Sequence, residues 1–341
     1  MRSDLPEPEN PVQPLRVIEQ RNDHAAEARE AGIEDLVEFR AVYTREVLLH
    51  VALAGPEDGE PVILLHGFPD FWLSWAAQVR PLVKKGYRLI MPDLRGYNMS
   101  EKPREVDAYR LDRLGPDVLD ILEAFGLEQA HLVGHDWGGA LAWWLAEHHP
   151  ESFKTLTILN CPPADVMEKT LKSRPRQLMR SWYIGFFQIP RVPEFVLSRG
   201  DCGPLERGLR KLSTPSAFTG GELKIYRKAW GRPGALRSMI NWYRAARGSI
   251  LEDRPPSKQI TIPTTIIWGK QDLALDEILV EPSAARCEDV EVHWVEHAGH
   301  WVQREAPEFV TEKMVESFQR KVKGKGNRQE AKGPRTQRKG K

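Results

Sequence analysis

The sequence predicts an α/β protein with a mostly parallel, doubly wound sheet and a helical segment inserted between two of its strands. Three observations support this fold class. Short runs of Val, Ile and Leu recur along the chain and are near-continuous, which is typical of parallel strands covered on both faces. Helical stretches separate most of these runs. A stretch of roughly 95 residues then interrupts the alternation and is too long for a loop of a compact domain.

Seven apolar runs predict the strands. In chain order they are EVLLHVALA from Glu46, PVILLHG from Pro61, YRLIMPD from Tyr87, AHLVGH from Ala130, FKTLTILN from Phe153, TTIIWG from Thr264 and VEVHWVE from Val290. One of the intervening helices, RLGPDVLDILEAFGL, places five apolar side chains on one side, namely Leu114, Val118, Ile121, Leu122 and Phe125. Strand-helix alternation of this kind implies right-handed crossovers.

The alternation stops after Cys161. The following stretch lacks a clear buried-strand run but contains helix-like segments, among them SRPRQLMRSWYIGFF and GALRSMINWYRAARG. We therefore expect a helical cap at 163–258, inserted into a core formed by 31–162 and 259–319. An insert at the carboxyl end of a strand would roof the crevice in which such sheets bind ligands. Residues 1–30 are expected to form an N-terminal extension.

Charge is unevenly distributed along the chain. The formal net charge is +1, but the segment 320–341 holds ten Lys and Arg against one Glu, which leaves the remainder at −8. This basic tail lacks apolar periodicity and is predicted to be disordered and solvated. Nucleic-acid binding through phosphate contacts is the alternative, and we do not expect it.

Other features bound the class of protein. There is no run of 18 apolar residues, which argues against a membrane span, and the N-terminus does not resemble a signal peptide. The three Cys have unrelated spacings and form neither a metal-binding nor a disulfide pattern. The sequence thus favours a cytoplasmic protein without a metal or cofactor.

The segment LVGHDWGGA, from Leu132 to Ala140, has the layout of a nucleophile elbow with Asp136 at the nucleophile position. Gly134 and Gly138 flank Asp136 where a tight turn leaves no room for side chains. The following helix would keep the carboxylate ionised through its free N–H groups and dipole. The simpler interpretation is an Asp that caps a helix.

A second segment, LLHGFPD, closes the strand that begins near Val62. In this architecture the oxyanion hole takes one N–H from the residue after the nucleophile and one from the loop after an earlier strand. We therefore expect the backbone N–H groups of Trp137 and Phe68 to form it. Pro69 would stiffen the loop, and whether the Phe68-Pro69 bond is cis is left open.

The remaining segments supply a base and an acid. VEHAGHWVQREAPE offers His297 and His300, of which His300 is preferred as general base because it directly precedes a predicted helix. IIWGKQDLALDE offers Asp272, placed directly after a turn, and Asp276, which reads as a charge on a helix surface. The order Asp136, Asp272, His300 is the chain order of α/β-hydrolases.

Together, HGFPDFWLSW, PDLRGYNMSEKP, GHDWGG, WGKQD and AGHWVQREAPE resemble the soluble, aspartate-nucleophile epoxide hydrolases of the α/β-hydrolase fold, over about 270 residues from Tyr43. Haloalkane dehalogenases share this nucleophile. The resemblance implies that Tyr183 and Tyr243 are lid tyrosines that hold and protonate an epoxide oxygen. Phe68 stands where many dehalogenases carry a halide-binding Asn, which favours the epoxide.

A carboxylate nucleophile suits substitution at saturated carbon. Attack by a Ser hydroxyl would give an ether, whereas attack by Asp136 gives an ester whose carbonyl water can reach. We expect conversion of an epoxide to a vicinal diol, with detoxification as a role; the alternatives are a haloalkane dehalogenase and a non-catalytic ligand-binding protein. The expected partners are an apolar epoxide and water, and a homodimer is left open. Four aromatic residues are expected to line the substrate pocket: Phe71, Trp182, Phe186 and Trp242.

Overall fold

The structure is a computed structural model that describes residues 15–19, 25–250 and 258–321. Most of the predicted basic tail and the first part of the predicted N-terminal extension lie outside these residues. Within the described ranges, no helix is both long enough and apolar enough to cross a bilayer.

A nine-stranded sheet forms the centre of the described chain. Its strands are β1 (Arg16–Glu19), β2 (Val37–Tyr43), β3 (Leu48–Ala54), β4 (Glu60–Leu65), β5 (Tyr87–Pro92), β6 (Ala130–His135), β7 (Phe153–Leu159), β8 (Thr264–Gly269) and β9 (Val290–Val295). They lie in the order β1-β2-β3-β5-β4-β6-β7-β8-β9. Six neighbouring strands pair in parallel, namely β5, β4, β6, β7, β8 and β9. Strands β1, β2 and β3 add an antiparallel edge next to β5.

All seven predicted strands are present, each beginning within two residues of its predicted start. Every residue of β6 and β8 is buried, as expected for parallel strands covered on both faces. The predicted fold class, a mostly parallel α/β sheet, is confirmed. Strands β1 and β2 were not predicted, because neither forms a continuous apolar run. All four residues of β1 are exposed, and β2 is partly exposed.

Helices cover the sheet and fill the interval between β7 and β8. They are α1 (Ala25–Glu30), α2 (Ala76–Lys84), α3 (Leu111–Ala124), α4 (Trp137–His148), α5 (Ala164–Ser173), α6 (Pro175–Arg180), α7 (Trp182–Phe187), α8 (Val192–Leu212), α9 (Gly220–Trp230), α10 (Ala235–Ile250), α11 (Val280–Ala284), α12 (Val302–Glu305) and α13 (Pro307–Phe318). The predicted apolar side of α3 is buried at Leu114, Val118, Ile121 and Leu122. Two groups of helices pack around the sheet: one contains α3 and α4, and the other contains α2, α12 and α13.

Helices α5 to α10, which we call the inserted segment, lie over the carboxyl ends of the central strands. The indole of Trp230 on α9 donates to the carbonyl of Pro69, 2.6 Å away, in the loop after β4. The indole of Trp242 on α10 donates to the carbonyl of Arg95, 3.0 Å away, in the loop after β5. These contacts hold the inserted segment at the edge of the sheet where parallel α/β proteins bind ligands.

Part of the predicted N-terminal extension belongs to the folded body. Ala28 on α1 is buried in the core, and the Glu27 carboxylate accepts a hydrogen bond from the Trp72 indole at 2.9 Å. Strand β1 also pairs with β2. The boundary expected at residue 31 therefore does not separate an extension from the core, because burial of short segments such as AAEARE depends on contacts made elsewhere.

Candidate active site

Asp136 sits in a sharp turn between β6 and α4. Its backbone adopts φ 49° and ψ −121°, a conformation that costs free energy for any residue with a side chain. Its neighbours must be small, because a Cβ on Gly138 would overlap the Leu65 carbonyl and a Cβ on Gly134 would overlap Gly138. The turn thus presents the Asp136 carboxylate beyond the sheet edge, at the start of α4.

The loop after β4 contacts one oxygen of this carboxylate. The Phe68 N–H donates to Asp136 Oδ1 at 2.8 Å, and the Phe68-Pro69 peptide bond is cis. A Cβ on Gly67 would lie 2.7 Å from the same oxygen, so only glycine permits this approach. Trp137, the second predicted oxyanion donor, follows Asp136 directly; in the described part of the chain its N–H makes no hydrogen bond to that carboxylate.

The predicted base and acid meet beside Asp136. His300 Nε2 lies 3.4 Å from Asp136 Oδ2, and His300 Nδ1 lies 2.8 Å from Asp272 Oδ2. His300 follows β9 and Asp272 follows β8, so the carboxyl ends of parallel strands bring the three side chains together. The other candidate, His297, is exposed.

Asp272 is held from both sides. Its Oδ1 accepts the N–H groups of Ala274 and Leu275 at 2.7 and 2.9 Å. Its Oδ2 accepts a hydrogen bond from Asn160 Nδ2 at 2.8 Å, besides facing His300. Asn160, whose Oδ1 accepts the Gly269 N–H, was missed in the sequence analysis. The available signal was a polar residue at the end of the buried strand run FKTLTILN.

The prediction for Asp276 was wrong. This residue is 1% exposed, so it is not a charge on a helix surface. Its Oδ1 accepts the Ile278 N–H at 3.2 Å, and its Oδ2 forms an ion pair with Arg176 at 2.9 Å. Because the inserted segment covers this loop and supplies Arg176, spacing along the chain could not reveal the burial.

Charge stabilises the ionised forms of these groups. Burial alone would raise the pKa of Asp136 and of Asp272, but the neighbouring imidazole and the hydrogen bonds that each carboxylate accepts outweigh burial and lower both. Burial alone would lower the pKa of His300, whereas the charges of Asp272 and Asp136 raise it well above its ordinary value of 6.5. These shifts favour a protonated His300 between two ionised carboxylates in the free site.

A further buried carboxylate, that of Asp70, lies behind His300. Asp70 Oδ1 accepts a hydrogen bond from the Tyr226 hydroxyl at 2.7 Å, and Asp70 Oδ2 accepts one from the Trp301 indole at 2.8 Å. His135 Nε2 donates to the His300 carbonyl at 2.8 Å. Burial raises the pKa of Asp70. Tyr226 has no motif around it, so the sequence analysis did not single it out.

A cavity of about 410 Å³ lies against Asp136, between the sheet edge and the inserted segment. Its wall includes Trp137, Tyr183 and Tyr243. The tyrosine rings are 5.8 Å apart at 85°, and the Tyr243 ring is 4.9 Å from that of Trp137. Burial raises the pKa of both tyrosines, so their hydroxyls stay protonated near neutral pH. Apolar side chains make up much of the remaining wall, including Ala140, Pro162, Ala164, Met167, Leu171, Ile184 and Leu275.

Three of the four aromatic residues expected in the pocket lie elsewhere. Trp242 lines the cavity, but Phe71 is buried against Tyr226, with ring centroids 4.9 Å apart. Trp182 is 67% exposed and packs beside the half-buried Phe186. The reason is helical geometry, since Trp182 and Phe186 are four residues apart on α7 and share the side that faces away from the cavity.

Among the residues that the structure describes, no group of three or more His, Cys, Asp or Glu side chains is arranged to hold a metal ion. The residues described above supply carboxylates, imidazoles, phenols and backbone amides, and the cavity wall also includes Arg110, Glu168 and Gln188. This set can supply a nucleophile, a base and proton donors.

Comparison with known proteins relates this geometry to a family. Residues 60–307 match the alpha/beta hydrolase fold family. The AB hydrolase superfamily protein YfhM of Bacillus subtilis is 41% identical over 282 residues, which cover 83% of this chain and 98% of that protein. Epoxide hydrolase 4 of Mus musculus is 36% identical over 269 residues, which cover 76% of this chain and 73% of that protein.

A solved structure supports the same assignment. A chain described among novel epoxide hydrolases from metagenomes of hot environments superposes with a TM-score of 0.74 at 32% identity, covering 82% of this chain and 98% of that one. Both the sequence and the architecture of the matched region are thus shared with epoxide hydrolases. The chain belongs to the α/β hydrolase fold family, as a hydrolase of the epoxide hydrolase type.

Proposed function

We propose that the protein converts an apolar epoxide to a vicinal diol through an ester formed on Asp136. The observation that carries this proposal is the position of the Asp136 carboxylate. One of its oxygens accepts the Phe68 N–H, the other faces His300, and the same cavity carries two protonated tyrosines. Few reactions other than opening of an epoxide need both a carboxylate nucleophile and a phenolic acid.

In the first step, Asp136 Oδ2 attacks a ring carbon and the bond from that carbon to the epoxide oxygen breaks. Oδ2 is assigned as the attacking atom because Oδ1 is held by the Phe68 N–H and is suited to become the ester carbonyl oxygen. The released alkoxide takes a proton from Tyr183 or Tyr243. Both phenols remain protonated because burial raises their pKa, so each has a proton to donate.

In the second step, His300 removes a proton from water, and the hydroxide adds to the ester carbonyl of Asp136. The Phe68 N–H, joined by that of Trp137, stabilises the oxyanion on Oδ1. Collapse of this intermediate breaks the ester bond, and the leaving alkoxide takes the proton of the hydroxyl group that water added, which completes the diol and restores the Asp136 carboxylate. The tyrosinate left by the first step regains its proton from His300 when the ester forms, and His300 keeps the proton that it later takes from water, so all three side chains return to their starting forms.

Formation of the ester itself prepares the base. In the free enzyme the charges of two carboxylates raise the pKa of His300 and favour its protonated form. Esterification removes the charge of Asp136, so the pKa of His300 falls and its neutral form becomes available. We infer that Asp272 then orients the imidazole through the 2.8 Å contact with Nδ1, leaving Nε2 to face the water.

The inserted segment acts as the cap in this proposal. It contributes both tyrosines and much of the apolar wall, which favours epoxides with apolar substituents over charged ones. A volume of about 410 Å³ fits a compact substrate of this class. Detoxification of such epoxides in the cytoplasm is the role that we propose for this activity.

Single-turnover hydrolysis of styrene oxide in heavy-oxygen water tests the covalent route. With enzyme in excess, the first diol should contain unlabelled oxygen from Asp136, and label should appear in the carboxylate. Full labelling of the first diol would show direct attack by water and overturn the proposal. The same enzyme should release no halide from a haloalkane. Halide release without diol formation would identify a dehalogenase, and the absence of both products would identify a binding protein.

A further inference from the structure

Exposed apolar side chains cluster on the outer side of the inserted segment. Of the thirteen large hydrophobic residues that are exposed in the described ranges, seven lie between positions 178 and 196. They belong to α6, α7, α8 and the α7–α8 turn, and neighbouring helices of this set contact each other. We call this surface the lid face; its residues are Leu178, Met179, Trp182, Ile189, Val192, Phe195 and Val196. A soluble protein rarely leaves so many large apolar side chains together in water unless they bind something.

The lid face lies in a basic stretch of an otherwise acidic body. Residues 172–200 contain six Lys and Arg but one acidic residue, Glu194, which forms an ion pair with Arg244. Three of the six cations pair with acidic residues outside this stretch, namely Lys172, Arg176 and Arg180. By contrast, the chain outside the basic tail carries a net charge of −8. Arg174 and Arg191 are exposed, and within the described residues neither has an ion-pair partner. The surface therefore combines apolar side chains with uncompensated positive charge.

We propose that the lid face docks on the surface of an anionic phospholipid bilayer. Met179, Trp182 and Phe195, which are 77%, 67% and 60% exposed, are long or aromatic side chains suited to the boundary between headgroups and acyl chains. Arginines around them would be attracted to the negative headgroups. A second copy of the chain is a poorer fit for this face, because pairing two identical faces brings like charges together.

The position of the lid face relative to the cavity supports this occupant. Helix α7 separates the two, since Trp182 is exposed whereas Tyr183 and Ile184 line the cavity. Gly185 is both exposed and part of the cavity wall, so the cavity reaches the surface beside the lid face. Docking itself does not depend on the proposed reaction, but it would bring the cavity mouth close to apolar molecules dissolved in the bilayer.

Vesicle sedimentation with the full chain tests the proposal. Wild type should bind vesicles of phosphatidylcholine mixed with phosphatidylglycerol, and bind more weakly to phosphatidylcholine alone. Replacing Arg174 and Arg191 by Gln should weaken binding about fivefold for each arginine, the equivalent of about 1 kcal/mol each. Replacing Trp182 and Phe195 by Gln should reduce binding to both vesicle types. Trp294→Gln, which removes an exposed indole on β9, outside the inserted segment, is the matched control and should bind like wild type.

Three outcomes would contradict docking through the lid face. Because the basic tail is also attractive to anionic lipid, unchanged binding of both lid-face variants would assign binding to the tail and overturn the proposal. A wild-type dimer that the Trp182 and Phe195 substitutions dissociate would identify the face as an interface between copies and overturn it too. Absence of vesicle binding by wild type would have the same consequence. Unchanged melting temperatures of the variants establish that they are folded.

Discussion

Asp272→Asn would keep the shape of the site but reverse the hydrogen-bond pattern around His300. Asp272 Oδ1 accepts two backbone N–H groups, from Ala274 and Leu275, so the amide oxygen of Asn must take that position. The amide NH₂ then replaces Oδ2, 2.8 Å from His300 Nδ1 and 2.8 Å from Asn160 Nδ2. Asn160 cannot turn its own oxygen toward this group without losing its hydrogen bond from the Gly269 N–H. His300 Nδ1 must therefore accept a hydrogen bond from this NH₂ group, so the ring proton of the neutral imidazole moves to Nε2.

The size of the effect follows from this change of tautomer. A proton on Nε2 faces the attacking water and removes the lone pair that the base needs, and the equivalent change in a Ser-His-Asp triad slows turnover about 10⁴-fold. At about 1.4 kcal/mol for each factor of ten, ester hydrolysis should lose about 5 kcal/mol of transition-state stabilisation. Attack by Asp136 does not use the His300 lone pair, so the ester should form and persist.

Rapid quenching followed by intact-mass measurement checks this expectation. After mixing with styrene oxide, Asp272→Asn should gain the mass of one epoxide within seconds and release diol very slowly. Asp276→Asn is the matched control, since Asp276 is an equally buried carboxylate four residues away that pairs with Arg176 instead of His300; it should lose stability but hydrolyse its ester. Diol release by Asp272→Asn at the wild-type rate, or a protein that never gains mass, would contradict the roles assigned to Asp272 and His300.

Four further results are expected. Tyr243→Phe should slow ester formation about 10²-fold or more in stopped-flow experiments by removing a proton donor, and an unchanged rate would exclude it as an acid. Gly67→Ala should abolish activity with little change in circular dichroism, because the added Cβ would lie 2.7 Å from the Oδ1 of the Asp136 carboxylate; an active variant contradicts the packing. Tyr226→Phe should lower the free energy of unfolding in urea by about 1–3 kcal/mol, since it deprives a buried carboxylate of a donor, and an unaltered midpoint would argue against that bond. The pKa of His300 is raised on folding, so protonated His300 stabilises the fold fully below about pH 6.5, and this contribution declines as the pH rises through the folded-state pKa. The melting temperature should therefore fall less toward alkaline pH in His300→Gln than in wild type. Parallel plots of melting temperature against pH would contradict this expectation.

Much of the fold and part of the site followed from the sequence because they depend on local patterns. The sequence of a buried parallel strand is a continuous apolar run, whichever strands lie beside it, and all seven such runs are strands. The turn at Asp136 is specified by glycines two residues away on each side, so nine residues were enough to predict it. His300 and Asp272 could be paired with it because each follows a strand and parallel strands end at one edge.

The rest depends on contacts between distant parts of the chain. Asn160 is 112 residues from its partner Asp272, and Tyr226 is 156 residues from Asp70, so no spacing rule relates them. The burial of Asp276 likewise arises from a helix that precedes it by a hundred residues. Trp182 and Phe186 were predicted to line the pocket because aromatic residues near a crevice were expected to face it. The rotation of the short helix α7 about its own axis decides which of its residues face the cavity, and the sequence does not specify that rotation.

The Asp70 carboxylate limits which helices of the inserted segment can be replaced. It joins a phenol on α9 to the indole of Trp301, the residue directly after His300, and all three groups are buried. Helix α6 is tied to the same site at another point, because Arg180 donates to the Asp272 carbonyl at 2.9 Å. Grafting a foreign α9 that lacks the phenol would leave the buried Asp70 carboxylate short of a donor, next to the segment that carries His300. Recombination between relatives should therefore succeed at breakpoints that keep both α6 and α9 with the sheet.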